Sequence, residues 1–294
     1  MSEKVLFIEI FQPFAQYRNP FTFYYAQTYP LPPKTTIIGM LQNAMNDWYG
    51  SSNLEVWERI KVSIHGKFES VFWNYQNLIK GEISLSKEGV LINQHDDNVT
   101  RDVKAWLPLY GKGLVSRRAP IFQQELFNGH LYLFLKGDGN FLEKVKDSLE
   151  NPQKVFYLGR SEDVVFIRDI RIFDSVEEDE IIGDITLFFP TYLKKYVINE
   201  QGEKRELPIL IEKYPVYNIP VKSVFVKSDG SKIKHKCEIV KENIVRREVE
   251  FETVIYTGEE YLLLLKDREK LGVEILELKD KNKEFRIIKD YGWL

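Results

Sequence analysis

The chain has 294 residues, 44% of them hydrophobic and 14% aromatic, enough to bury a substantial core and to divide into two lobes. A formal net charge of -3 argues against a uniformly basic nucleic-acid binder, and the single cysteine, Cys237, excludes an intramolecular disulfide. The four histidines show no metal-ligand spacing, so neither a metal nor a cofactor is expected; no apolar run is long enough for a bilayer, so no membrane partner is expected.

In chain order, residues 4–11 read as a first strand, and Met1-Ser2-Glu3-Lys4 leads into it without the form of a signal peptide. A cytoplasmic protein is the expectation. A proline-rich aromatic loop follows from Phe11 to Pro33. Pro33-Lys34-Thr35-Thr36 then opens a helix, with apolar residues at 37, 38, 41, 44, 45 and 48 recurring at helical spacing and a threonine available as its cap. Residues 60–73 read as a strand. The stretch from about 80 to 120 is broken, polar and basic, and is expected to form an insertion or protruding hairpin. Strand character returns over 121–135, a short helix over 140–150 carries Phe141, Leu142, Val145 and Leu149 on one stripe, and Val164-Val165-Phe166-Ile167 begins another strand. The order β-α-β-insert-β-α-β is that of a ferredoxin-like, RRM-like module. Two helices cover only one face of such a sheet, so something else must cover the other. The acidic run Glu177-Glu178-Asp179-Glu180 marks the expected junction to a β-rich C-terminal lobe. The expected class is thus α+β: an RRM-like domain over 1–176 with a thumb at about 80–120, then a β-rich domain over 177–294.

Charge is unevenly placed along the chain. Residues 98–120 carry Arg101, Lys104, Lys112, Arg117 and Arg118 against Asp102 alone, while 162–184 hold nine acids and two arginines. Such segments suit a local basic surface, or an ordinary mixed one. In the N-terminal loop, rings beside Arg18 could stack unpaired bases while the guanidinium meets a phosphate, or the loop could be buried between the lobes with Arg18 facing outward. Gly159-Arg160-Ser161, between helix and strand, could bring backbone amides and side-chain donors to a phosphate, or form a plain turn. His65, His95, His130 and His235 assemble no nucleophile triad by spacing, and a lone strand histidine is more often structural.

Three segments carry a family resemblance: Ile8 through Pro20, with Gln12-Pro13-Phe14-Ala15-Gln16-Tyr17-Arg18; Thr28 through Met40, with Pro32-Pro33-Lys34-Thr35-Thr36; and Phe156-Tyr157-Leu158-Gly159-Arg160-Ser161-Glu162. Together they resemble the subunit of the CRISPR surveillance complex Cascade that caps the guide RNA at its 5′ handle, in the RAMP superfamily, most closely its type I-B branch. The resemblance covers roughly residues 4–170. It implies a non-catalytic protein that binds the crRNA 5′ handle in antiviral defence. The residues implied at the RNA are Tyr17, Arg18, Lys34, Thr35, Arg101, Lys112, Arg117, Arg118, Gly159, Arg160 and Ser161. The implied partners are the repeated backbone subunit, the large subunit and, through the guide, target DNA. A guide-processing endoribonuclease and a protein-only scaffold are the alternatives.

Overall fold

The computed structural model describes residues 3–22, 25–47, 54–79, 82–86, 89–93, 118–174, 176–199, 201–231, 245–259, 262–266, 270–278 and 283–294. Its first part contains β1 (Glu3–Ala15), β2 (Tyr25–Ala26), α1 (Lys34–Ala44), α2 (Leu54–Arg59), β3 (Lys61–Ile79), β4 (Glu82–Ser86), β5 (Gly89–Asn93), β6 (Arg118–Asp138), α3 (Gly139–Glu150) and β7 (Phe166–Phe173). The rest is almost entirely strand: β8 (Glu177–Ile182), β9 (Ile185–Thr186), β10 (Tyr192–Lys194), β11 (Tyr196–Ile198), β12 (Lys204–Glu206), β13 (Val216–Lys227), β14 (Val245–Tyr256), β15 (Leu262–Leu263), β16 (Lys270–Leu278) and β17 (Lys283–Ile288). The fold is mixed α+β, with several antiparallel sheets and few helices among the described residues.

The main sheet runs β3-β6-β1-β7, every neighbouring pair antiparallel, and β2 joins β6 in parallel where β1 ends. Alternation sorts its side chains to two faces. Leu6, Ile8 and Ile10 of β1, Val62 and Ile64 of β3, and Leu131, Leu133 and Leu135 of β6 share one face. They pack with Ile37 and Leu41 of α1 and Leu142 and Val145 of α3. Both helical stripes therefore lie where the sequence spacing puts them. Asp138 caps α3 by accepting from Phe141 N at 2.9 Å.

The opposite face carries Val5, Phe7, Tyr132 and Phe134, and the C-terminal sheet β8-β16-β17 covers it with Leu276, Phe285 and Ile287. The cover that the helices cannot supply thus comes from the chain itself. A buried polar contact fixes this seam: Glu274 accepts from Lys136 Nζ at 2.9 Å and from Trp293 Nε1 at 2.7 Å. Leu294 pairs with Val62 through both backbone groups. Trp293→Phe keeps the ring packing and removes the donor, so it is expected to cost about 1.5 kcal/mol, the range of a hydrogen bond to a charged group. A urea midpoint lowered at unchanged slope is the result expected; an unchanged midpoint would mean that Lys136 alone satisfies Glu274.

Several elements differ from their sequence reading. β1 continues through Ala15, beyond residue 11, because the long β6 offers partners as far as Leu126. The helix begins at Lys34 with Pro33 at its cap position and no side-chain cap. The threonines thereby fall inside its first turn, and Thr35 Oγ1 donates instead to Pro220 O at 3.3 Å. The acidic run 177–180 forms part of strand β8, with its side chains exposed. Ser228–Ser231 does form a turn, with Lys227 N bonded to Ser231 O at 2.9 Å, while Cys237 and Lys232, Lys234 and Lys236 lie outside the described residues. Among the described residues, no helix is long and apolar enough to cross a membrane.

Candidate nucleic-acid interface

Two of the singled-out segments, the end of β1 with its loop and the Gly159 loop, meet in one hydrogen-bonded clamp centred on Asp163. That carboxylate is 1% exposed. Its Oδ2 accepts from Gln16 N at 3.0 Å and Arg160 N at 2.9 Å, and its Oδ1 accepts from Arg160 Nη2 at 2.8 Å. Arg160 Nη1 reaches Glu125 Oε1 of β6 at 2.8 Å. Burial works against the Arg160 charge, but its hydrogen bonds to Asp163 and Glu125 outweigh that and hold the guanidinium firmly protonated. Gln12, fully buried, donates to Leu158 O at 2.7 Å and accepts from the Tyr17 hydroxyl.

Gly159 has φ +113°, and a Cβ there would lie 2.8 Å from Asp163 Oδ2 and 2.9 Å from Gln16 O. Only glycine fits this close approach without displacing the clamp. Tyr17 is 2% exposed, edge-on to Phe68, and its phenol is held well above the ordinary tyrosine range by burial and the Asp163 charge. Arg18 beside it is exposed, where the chain makes a bridge to Thr28. Ser161 is exposed and donates to Glu162 at 3.1 Å. The loop thus presents Arg18 and Ser161 outward above a buried carboxylate that orders the backbone.

Lys34 and Thr35 lie elsewhere, in a cleft of about 450 Å³ between α1 and the β13–β14 hairpin, which Lys194, Lys222 and Glu58 also line. Lys34 Nζ donates to Leu294 O at 2.9 Å. Burial chiefly, then the charges of Lys194, Lys222 and Lys61, push Lys34 down from 10.5 to about 8. A Cβ at Gly39, on the same wall, would meet nothing within 4 Å, so α1 is open there.

Lys34 gives a pH signature. Because its folded pKa is lowered, the unfolded chain binds the extra proton between about pH 8 and 10.5, so stability rises with pH across that window. Between pH 7 and 9.5 the gain is at most about 2 kcal/mol. Lys34→Met is expected to flatten that rise in urea unfolding; wild-type and variant curves that stay parallel would count against it.

Of the remaining singled-out residues, Arg118 starts β6 opposite Ile79 of β3, while Arg101, Lys112 and Arg117 lie outside the described residues. The β3–β6 ladder runs unbroken in register from Phe72↔Glu125 to Ile79↔Arg118, past the end of β1 at Ala15. Ile79 and Arg118 thus face each other at the described end of a long hairpin. Exposed rings line this hairpin: Trp73, Tyr75, Phe122 and Tyr25 on one face, Phe72, Phe127 and Phe14 on the other. The sequence reading missed these rings, although the period-two run Val71-x-Trp73-x-Tyr75 was a legible signal. It missed the organising role of Gln12, Glu125 and Asp163 too.

The family model described as CRISPR-associated protein (Cas_Cas5) matches residues 5–225. The chain belongs to the Cas5 family. Cas5-family RAMP proteins are typically non-catalytic structural or RNA-binding subunits, and the match includes the Asp163 clamp, Lys34 and Thr35 of α1, and strands β3 and β6. Three solved structures resemble this Cas5-family chain at low identity. One, described as a CRISPR RNA-guided surveillance complex, is 12% identical with a TM-score of 0.46, covering 89% of this chain and 90% of that one. Another, described as a Cas protein, is 13% identical with a TM-score of 0.40, covering 90% and 96%. A CRISPR protein from Archaeoglobus fulgidus is 10% identical with a TM-score of 0.37, covering 96% and 98%. No curated protein matches the chain in sequence.

The histidines fit a non-catalytic chain. His65 is buried with Ser63 Oγ 3.0 Å from its Nε2. His130 is exposed and shares a depression of about 400 Å³ with Lys67 and Tyr132. There Lys67 is paired with Glu259 at 3.7 Å, and the Tyr132 hydroxyl accepts from Lys283 at 3.4 Å. His95 and His235 lie outside the described residues. Among the described residues, no group of three His, Cys, Asp or Glu side chains could hold a metal ion.

Proposed function

We propose that this chain is the non-catalytic subunit of a type I Cascade complex, of the type I-B branch, that grips the repeat-derived 5′ handle of the crRNA in the cytoplasm. The observation that carries the reading is the family match over residues 5–225, with the Arg18 loop and the Gly159 loop drawn together over Asp163 inside it. The strand order β3-β6-β1-β7, with α1 and α3 packed on one face, supports a ferredoxin-like, RRM-like domain over 1–176. The β-rich remainder, 177–294, supports that domain from the other face. In this reading the thumb over about 80–120 carries Arg101, Lys112, Arg117 and Arg118 to the guide. Arg18 and Ser161 meet handle phosphates, the amides beside Gly159 add donors, and Lys34 and Thr35 bind at the second cleft. Arg160 holds the loop and offers its outer edge. The neighbours are the repeated backbone subunit and the large subunit, and target DNA is met through the guide.

Filter binding of handle RNA across a salt series tests this. Arg18→Ala should weaken binding to all sequences and lower the salt slope by about one unit. Repeat RNA incubated with the pure chain, without metal, should remain intact. Specific cleavage would overturn the non-catalytic reading, and no binding to handle RNA would leave a protein-only scaffold.

A further inference from the structure

The main sheet turns over partway along its length. On β6, Leu131, Leu133 and Leu135 belong to the core beneath α1 and α3, and so does Leu126. Unbroken alternation cannot do this, because an odd-numbered and an even-numbered residue of one strand point to opposite faces. β1 shows the same inversion, since Leu6, Ile8 and Ile10 lie in that core and then Ala15 does. Both inversions fall at one level. Gln12↔Gly129 and Phe14↔Phe127 pair across β1 and β6, and Phe68↔Gly129 and Ser70↔Phe127 pair across β3 and β6. Asn128, with Pro13 on one side and Glu69 on the other, is passed over in both ladders.

The cause is local. Asn128 has φ +55°, the left-handed region, in the middle of a central strand. Asparagine reaches that region at small cost and β-branched residues do not. Pro13 has no N–H to offer the Asn128 carbonyl, so the β1 ladder gives up little there. Toward β3, the Asn128 side chain donates to Glu69. Gly129 follows beneath the Phe68 ring, which any Cβ at that position would strike.

What the inversion accomplishes lies just beyond it. Glu125 and Gln123 stand off the core side, and Arg160 Nη1 reaches Glu125 Oε1 at 2.8 Å and Gln123 Oε1 at 3.3 Å. Had alternation continued, both would point into the helix-side core as Leu131 and Leu133 do, and Leu126 would lie on the guanidinium's side. The Arg18 loop is fastened to the same short piece of strand. Gln16 Nε2 donates to Gln124 O at 3.1 Å, and Gln124 Oε1 accepts from Thr28 N at 3.1 Å, with Thr28 bridged to Arg18. Residues 123–125 thus hold both loops, and their facing is set at Asn128.

We propose that Asn128 is a positioning residue for RNA binding, acting through Gln123, Gln124 and Glu125 to set the Arg18 and Gly159 loops where they meet the RNA backbone. This rests on the RNA-gripping reading above. The agent is the left-handed backbone of Asn128, and its side chain is secondary.

The full chain and its variants are read by filter binding of handle RNA and by amide hydrogen exchange at Gln16 and Arg160, whose N–H groups donate to Asp163. Asn128→Gly keeps positive φ accessible and should bind within about twofold of wild type. Asn128→Val closes it, and should bind roughly tenfold more weakly while both amides exchange faster. Glu69→Ala removes only the side-chain contact and should bind as wild type does. If the valine variant does not fold, Asn128→Ala against Asn128→Gly reads the same contrast. A valine variant with wild-type binding and exchange would overturn the positioning role and leave the handle reading intact. Weaker binding with unchanged exchange would show an effect that bypasses the loops, and would overturn it too. So would a glycine variant as weak as valine, or a loss with Glu69→Ala, since either assigns the effect to the side chain. A wild type that binds no handle RNA would overturn the handle reading and, with it, the binding role of Asn128.

Discussion

Asp163→Ala will lower the unfolding free energy by about 3–5 kcal/mol, the range for removing one partner of a buried ion pair. The size follows from what is left behind. Gln16 N and Arg160 N lose the acceptor they share, and the Arg160 guanidinium keeps only its contacts to Glu125, Glu162 and Gln123. Asp163 is fully enclosed, so water replaces it poorly. Gly159→Ala attacks the same clamp by sterics, through a Cβ 2.8 Å from Asp163 Oδ2, and should lose binding in parallel. Ser161→Ala, on the exposed shoulder of the loop, should unfold at the wild-type urea midpoint. Urea unfolding of the three variants decides this, with an unchanged slope showing that stability alone has moved. A loss below about 1 kcal/mol for Asp163→Ala would mean that Glu125 can hold the loop by itself.

The clamp also marks where the sequence stopped being informative. Gln12, Glu125 and Asp163 lie on three separate segments, and nothing in local spacing says that a glutamine at 12 will bond a carbonyl at 158. The motifs around them were legible because glycine, proline and arginine punctuate the chain. The carboxylate that organises them was not, because burial of a single acid leaves no periodic trace. Tyr17 shows the same limit: its neighbours suggested an outward stacking ring, and the structure sets it in the core with its hydroxyl on Gln12. The helices were readable from their stripes, since Ile37, Leu41, Leu142 and Val145 repeat at the helical period and all are buried.

The need for a cover on the second sheet face was likewise deducible, by counting faces against helices. What would cover it, and how far, was not. The alternating tail from Val273 to Ile288 reads as strand from its period, but its docking on Phe7 and Phe134 depends on contacts hundreds of residues apart in the chain.

His65 sits at that boundary, and acid should act through it. It is 2% exposed, edge-on to Phe134 at 5.4 Å and to Phe285 at 6.0 Å, with Ser63 Oγ 3.0 Å from Nε2. Burial pushes it down from 6.5 to about 3. Above pH 6.5 the imidazole is neutral both folded and unfolded, and the burial costs nothing in protons. Between 6.5 and 3 the unfolded chain takes up a proton that the folded chain refuses, so stability falls as pH falls. From pH 7 to pH 4 this one group should remove about 3 kcal/mol, at 1.36 kcal/mol per pKa unit. His65→Gln keeps a hydrogen-bonding group near Ser63 and cannot titrate. It should begin less stable at pH 7 and lose less on acidification, the two unfolding curves converging toward pH 4. Carboxylates common to both proteins cancel in that difference. Curves that remain parallel would show His65 already accessible to protons. Convergence would place the acid-labile group at the seam between β3 and Phe285.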